Sequence, residues 1–174
     1  KDSDYEEVTY TGTVTTTITD SSDKTPGTTP PEEGDVAFTL QLFAVETAAD
    51  GTKTYTQANT IAEQNDAGDA DITANYVVLA VDNTTKAILD AADQPTGDLT
   101  VNVGATGDSA TQGTDYDSGS TVTATIGTEF TIDSKDDALA DSGETFDLSL
   151  EDGSWTKDSD YEEVTYTGTV TTTI

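Results

Sequence analysis

An all-β sandwich is the fold this 174-residue sequence predicts, and three observations predict it. Short runs of β-branched and aromatic residues alternate with polar ones at period two, the pattern of half-buried strands. Clusters of Gly, Asp, Ser and Thr separate those runs at short intervals and read as turns. Long helical periodicity is missing, and many short strands with few helices bury their apolar faces best as two packed sheets.

Taken in order, the elements begin with VTYTGTVTTTI at 8–18. Val8, Tyr10, Gly12, Val14, Thr16 and Ile18 share one face of this strand, and Thr9, Thr11, Thr13, Thr15 and Thr17 share the other. VAFTLQLFAV at 36–45 is an apolar strand, and Asp50-Gly51 offers a hairpin turn to KTYTQ at 53–57. ANTIAEQND at 58–66 and KAILDAAD at 86–93 are each read as holding a helical turn. ITANYVVLAV at 72–81 is long and apolar enough to be a buried central strand. LTVNV at 99–103, TVTATI at 121–126, EFTI at 129–132 and TFDLSL at 145–150 follow, with the turn-rich TGDSATQGTDYDSGS between the first two. Threonine, the commonest residue, suits the solvated faces of such strands.

The chain also repeats itself. Residues 1–18, KDSDYEEVTYTGTVTTTI, recur without a change at 157–174. The offset of 156 residues is the size of a whole domain. The simplest reading is a segment of a tandem array: 1–18 is the closing strand copied from a preceding repeat, 19–34 is a linker, and 35–174 is the sandwich domain. Three of the four prolines stand in that linker, which has no apolar periodicity. Either copy fits the closing position: 1–18 there gives a circularly permuted domain with a loose C-terminus, whereas native chain order favours 157–174. That leaves 1–18 able to pair with a neighbouring molecule, and strand exchange between molecules through 1–18 or 157–174 is expected.

Composition excludes whole classes of function. There are 35 acidic residues against 6 basic ones, a net charge of -29, and no His or Cys. Without His or Cys there is no Ser-His-Asp triad, thiol nucleophile, disulfide scaffold or imidazole or thiolate metal site. Nucleic acid and anionic membrane are bound through Lys and Arg and would be repelled. No apolar run approaches the length of a bilayer span. So much carboxylate suits a hard divalent cation such as calcium, which takes six to eight oxygens.

Carboxylates gather before the repeated strand (Asp2, Asp4, Glu6 and Glu7, copied at Asp158, Asp160, Glu162 and Glu163) and after it (Asp20, Asp23). Others stand at Glu32, Glu33 and Asp35, at Asp69 and Asp71, and on either side of Tyr116 at Asp115 and Asp117. The densest loop holds Asp133, Asp136, Asp137, Asp141 and Glu144. Acidic turns are common for solubility alone. Five carboxylates in one short loop repel one another, however, and a cation relieves that cost. No complete EF-hand loop is present, so sites for several calcium ions are expected to be assembled from separate loops.

KDDALADSGETFDLSL at 135–150 resembles the calcium-binding stretch of the Calx-β domain, and EEGDVAFTL at 32–40, GTDYD at 113–117 and TITD at 17–20 match further pieces in order. The resemblance covers one repeat and implies an immunoglobulin-like antiparallel β-sandwich with Greek-key connections. It places calcium ligands at Glu33, Asp115, Asp136, Asp137, Asp141 and Glu144, with Asp20 from the closing strand; the clustering of carboxylates adds Asp23 as a further candidate. Similar repeats serve as extender domains of giant bacterial RTX adhesins. The implied function is therefore a calcium-stabilised spacer, exported by type I secretion to the bacterial cell surface, whose partners are neighbouring copies of itself. It would project a terminal ligand-binding region for attachment and biofilm formation.

Two other classes compete with this one. A carbohydrate- or protein-binding module of a secreted protein would show an exposed aromatic cluster or a shallow pocket on a non-repeated loop. An enzyme would have to work through carboxylates, with Trp155 and the tyrosines as a sugar platform. No pair of carboxylates stands out as acid and nucleophile, and no enzymatic activity is expected. The identity of the two 18-residue segments favours the spacer.

Overall fold

The computed structural model describes residues 38–63, 72–136, 143–158 and 164–174. They form a β-sandwich, with no α-helix among the described residues. The strands are β1 (Phe38–Thr47), β2 (Lys53–Thr56), β3 (Ala58–Thr60), β4 (Thr73–Asp82), β5 (Asp98–Val103), β6 (Tyr116–Asp117), β7 (Thr121–Thr125), β8 (Phe130–Ser134), β9 (Thr145–Leu150), β10 (Val164–Thr167) and β11 (Thr169–Thr173). One sheet has the order β10-β1-β4-β8-β6, with β2 also beside β1; the other has the order β3-β11-β9-β5-β7. All pairings are antiparallel except β1 with β10 and β11 with β3.

Alternation along each strand builds the core. Phe38, Leu40, Leu42 and Ala44 of β1 and Ala74, Tyr76, Val78 and Ala80 of β4 turn inward onto Leu99, Val101, Val103, Phe146, Leu148 and Val170 of the facing sheet. Burial of each large aliphatic side chain is worth about 1.5–3 kcal/mol. The other face of β1 and β4 is apolar too: Phe43, Val45, Val77, Leu79 and Val81 form a second buried cluster. This is why 36–45 and 72–81 read as continuous apolar runs rather than alternating ones. Across that outer face, Lys53 of β2 pairs with Glu129 just before β8.

The β1–β2 hairpin turns where Asp50-Gly51 stands. Gly51 has φ +85°, Asp50 Oδ1 accepts the Thr52 N–H at 2.9 Å, and Ala48 N–H donates to Thr52 O at 2.8 Å. Neither segment forms a helix among the described residues, though the second closes one hydrogen-bonded turn, Asp93 N–H donating to Asp90 O at 2.8 Å. Residues 58–60 form β3 instead, pairing in parallel with Thr171–Thr173. In the second segment Ile88 bridges Val81, and Leu89 N–H donates to Ala80 O at 2.9 Å. In both places an open strand edge offers the backbone partners that a short helix would have to supply alone.

The repeated strand holds the main surprise. Residues 164–174 keep the predicted inward face, with Val170 and Thr172 fully buried. Yet they serve both sheets: β10 lies along the first half of β1, and β11 lies between β9 and β3. The transfer happens at Gly168, where φ is +93°. A Cβ there would fall 2.9 Å from Leu42 O and 3.1 Å from Gln57 Oε1, so only glycine fits. Gln57 makes the matching crossing. Its Nε2 donates to Leu42 O at 2.8 Å, its carbonyl accepts from Thr171 N, and the chain passes from β2 in one sheet to β3 in the other.

β1 and the β10–β11 segment run in the same direction. The chain therefore enters β1 at one end of the sandwich and leaves β11 at the other, a separation of about 36 Å for eleven residues at 3.3 Å each.

A carboxylate-rich pole as candidate metal centre

The end of the sandwich where β11 finishes collects the candidate ligands that lie among the described residues. Here β4 begins, β8 ends, β6 and β9 begin, and the loop 104–115 folds over their tips. Tyr116 pairs with Ser134, and Lys135 N–H donates to Asp115 O at 2.8 Å, so Asp115 and Asp136 occupy adjoining positions of neighbouring segments. Glu144 joins the same pole through the C-terminal strand: its carbonyl accepts from Ile174 N at 2.8 Å, and Gly143 N–H donates to Ile174 O at 2.7 Å. Ser109 and Ala110 N–H groups both donate to Thr145 O, which ties the long loop to the start of β9.

Of the eight candidate ligands, Asp115, Asp136 and Glu144 are thus described, and all three stand at this pole. Asp20, Asp23, Glu33, Asp137 and Asp141 lie outside the described residues. Among the described residues no group of three carboxylates is close enough to hold a metal ion. The donors at the pole suit calcium in kind, since all are hard oxygens, but a full coordination shell would have to draw on segments 137–142 or 19–34.

Asp115 has a structural task of its own. It is 8% exposed, and one carboxylate oxygen accepts the N–H of Thr111. Asp115 N–H in turn donates to Thr111 O at 2.9 Å, closing a tight turn. Lys135 brings a positive charge to the same pole, its Nζ donating to Gly113 O at 2.9 Å.

One pair escaped the sequence reading. Asp117 and Asp133 are direct partners across the β6–β8 ladder, both exposed on the outer face. Like charges directly opposite destabilise a sheet, and the Thr73 hydroxyl donates to Asp133 Oδ1 at 2.6 Å. The signal was available in part: Asp117 alternates with the inward Tyr116, and Asp133 with the inward Ile132. Only the ladder register brings the two together.

Other carboxylates, at this pole and away from it, are taken up by the chain itself. Asp82 Oδ1 accepts from Thr84 N, Thr85 N and Thr85 Oγ1, closing the turn after β4. Asp108 Oδ2 accepts from Ala105 N at 2.6 Å and Asp147 N at 3.1 Å, and Asp147 Oδ1 accepts from Thr171 Oγ1 at 2.7 Å. Asp158 Oδ1 accepts from the Tyr166 hydroxyl at 2.6 Å, and burial together with this carboxylate raises the phenol's pKa far above its ordinary value. These acids act as turn caps and strand clips.

Among the described residues offered as a sugar platform, Trp155, Tyr76 and Tyr116 are core, while Tyr55 is exposed. Trp155 is 3% exposed and meets Phe38 edge to face, and Tyr116 stacks on Phe146 with ring centroids 4.2 Å apart. Tyr76 donates to Thr172 Oγ1, which donates to Asn59 Oδ1 at 2.7 Å, and burial pushes the Tyr76 phenol up to about 12. An open groove of about 400 Å³ lies towards the opposite end, lined by Asp152, Gly153, Asp158, Val164, Thr165 and Tyr166. Four of those six residues belong to the repeated segment.

Comparison of the chain with protein-family models, with curated proteins and with solved structures finds no match in any of the three.

Proposed function

We propose that this chain is a calcium-stabilised extender unit of a bacterial RTX-type adhesin, built from tandem β-sandwich repeats that hold a terminal binding region away from the cell surface. The observation that carries this reading is the path of the chain. β1 starts at one pole and β11, part of an identically repeated segment, ends at the other, so successive repeats would follow one another end to end. Tension between those two ends pulls the parallel β1 and β10 in opposite directions. The four register pairs Phe38–Val164 to Gln41–Thr167 then resist together, in shear.

The carboxylate-rich pole would form the junction. Ile174 repeats Ile18, and Thr19-Asp20 follow the first copy. The equivalent residues after Ile174 in a tandem array would emerge beside Gly143 and Glu144, which bond Ile174. Asp136, Asp137, Asp141 and Glu144 from one repeat, with Asp20, Asp23 and Glu33 from the linker, are the residues that would hold calcium there. Bound calcium would neutralise a cluster that otherwise repels itself and would stiffen the junction.

Thermal unfolding in EDTA, in millimolar calcium and in magnesium tests this. Each site at tenfold excess over its Kd adds about 1.4 kcal/mol, or about 3–6 °C in Tm for a domain of this size. A calcium-specific rise that Asp136→Asn with Asp137→Asn abolishes is the expected result. Equal midpoints in EDTA and calcium would remove the metal from the reading.

A further inference from the structure

The slot that β10 and β11 fill has a second claimant in the same chain. Its walls are described residue by residue. Phe38–Gln41 of β1 pair with Val164–Thr167, Leu42 O and Gln57 frame Gly168, and Thr145–Ser149 of β9 and Ala58–Thr60 of β3 flank Thr169–Thr173. Every residue seated there, Val164 to Ile174, has an identical counterpart from Val8 to Ile18, including the glycine on which the crossing depends.

We infer that residues 8–18 are an interchangeable closing strand, able to displace 164–174 from this slot within the same molecule. Identical side chains make identical contacts, so the two closed forms differ only in their connections. The present form joins Leu150 to Val164 through residues 151–163, at the end of the sandwich where both lie. The exchanged form has to lead the chain from Ile18, at the carboxylate-rich pole, back to Phe38 at the other. Nineteen residues, 19–37, are available for this, and a chain of that length extends to about 60 Å, well beyond the roughly 36 Å needed. A tether of this kind presents its strand at an effective concentration in the millimolar range, so in dilute solution the molecule's own copy outcompetes that of a neighbour. The slot's preference is geometric: it demands glycine at the crossing and apolar or small residues at alternate inward positions, and 8–18 meets both demands.

Disulfide trapping tests the exchange directly, because the native chain has no cysteine. Thr39 Oγ1 and Thr165 Oγ1 are 2.6 Å apart across the β1–β10 pair, and Thr9 is the counterpart of Thr165. The full chain carrying Thr9→Cys and Thr39→Cys is refolded from denaturant under oxidising conditions, with Thr39→Cys and Thr165→Cys as the control for the present form. Exchange predicts an internal cross-link in a measurable fraction of the first variant. Adding Gly168→Val, which sets a Cβ against Leu42 O, raises that fraction towards completion. Absence of this cross-link in both backgrounds while the control pair closes would overturn the inference, and a disulfide-linked dimer would overturn its intramolecular form.

Stability supplies an independent readout. Gly168→Val alone should lower Tm by about 5 °C or less, because 8–18 takes over, whereas Gly12→Val with Gly168→Val should lower it by about 15 °C or more through a strained and blocked crossing in both copies. If the single variant at Gly168 falls as far as the double, 8–18 does not seat.

Discussion

The two halves of the repeated strand make an instructive contrast. Val164 and Val170 are the same residue, six positions apart on one alternating segment, and both face inward. Val164 lies in β10 at the edge of its sheet and is half-buried. Val170 lies in β11, between β3 and β9, and is fully buried. One pattern of alternation therefore produces two energetic outcomes. Gly168 decides the difference, since it releases the chain from β1 just where β2 takes over that edge.

Mutations can break this contrast, provided each is made in both copies so that either closing strand carries it. Val14→Ala with Val170→Ala removes two buried methyl groups and leaves a cavity at the centre of the core. A loss of about 2–3 kcal/mol is expected in denaturant unfolding. Val8→Ala with Val164→Ala should cost under about 1 kcal/mol, since that site is already partly solvated. Equal losses for the two pairs would show that β10 is as deeply packed as β11.

Tyr76→Phe sharpens the contrast from the far side of β11, because the phenol donates to the buried Thr172. The hydrogen bond is worth about 1 kcal/mol, with an added cost for leaving Thr172 less well satisfied. The pH dependence follows from the raised pKa of about 12. The folded protein holds this proton more tightly than the unfolded chain. The stability that the neutral phenol provides is therefore complete below about pH 10 and is lost as pH rises to about 12. Tyr116 and Tyr166 are shifted in the same direction, so alkaline titration of Tyr76→Phe should show a shallower fall than the parent, not a flat line. An unchanged slope would mean that Tyr76 does not titrate in that window.

The smallest effect is expected at Lys53→Met. Its partner Glu129 is exposed enough for solvent and salt to screen the pair. The unfolding midpoint, with and without 0.5 M salt, should stay close to that of the parent.

Most strands were legible because a strand writes its burial into adjacent residues. Leu99, Val101 and Val103 alternate with Thr100 and Asn102, and that local period survives whatever pairs with it. The segments 58–60 and 86–89 were misread because their few residues carry no decisive period. Their backbone partners, Thr171–Thr173 and Ala80–Asp82, are supplied by other strands and leave no mark on the segments themselves. Carboxylate roles were harder still. Asp108, Asp115 and Asp147 look alike in sequence, yet each is assigned by which N–H or hydroxyl the fold brings within reach.

By itself, then, the sequence determined that this chain is an all-β sandwich, which faces its strands bury, and that one 18-residue segment is present twice. The tertiary structure alone decided that the repeated strand divides at Gly168 between two sheets, that β1 and β11 open at opposite poles, and that Asp117 meets Asp133. Alternation is a property of neighbours in the chain, whereas a sheet change, a pole and a cross-strand pair depend on what the fold brings in from elsewhere.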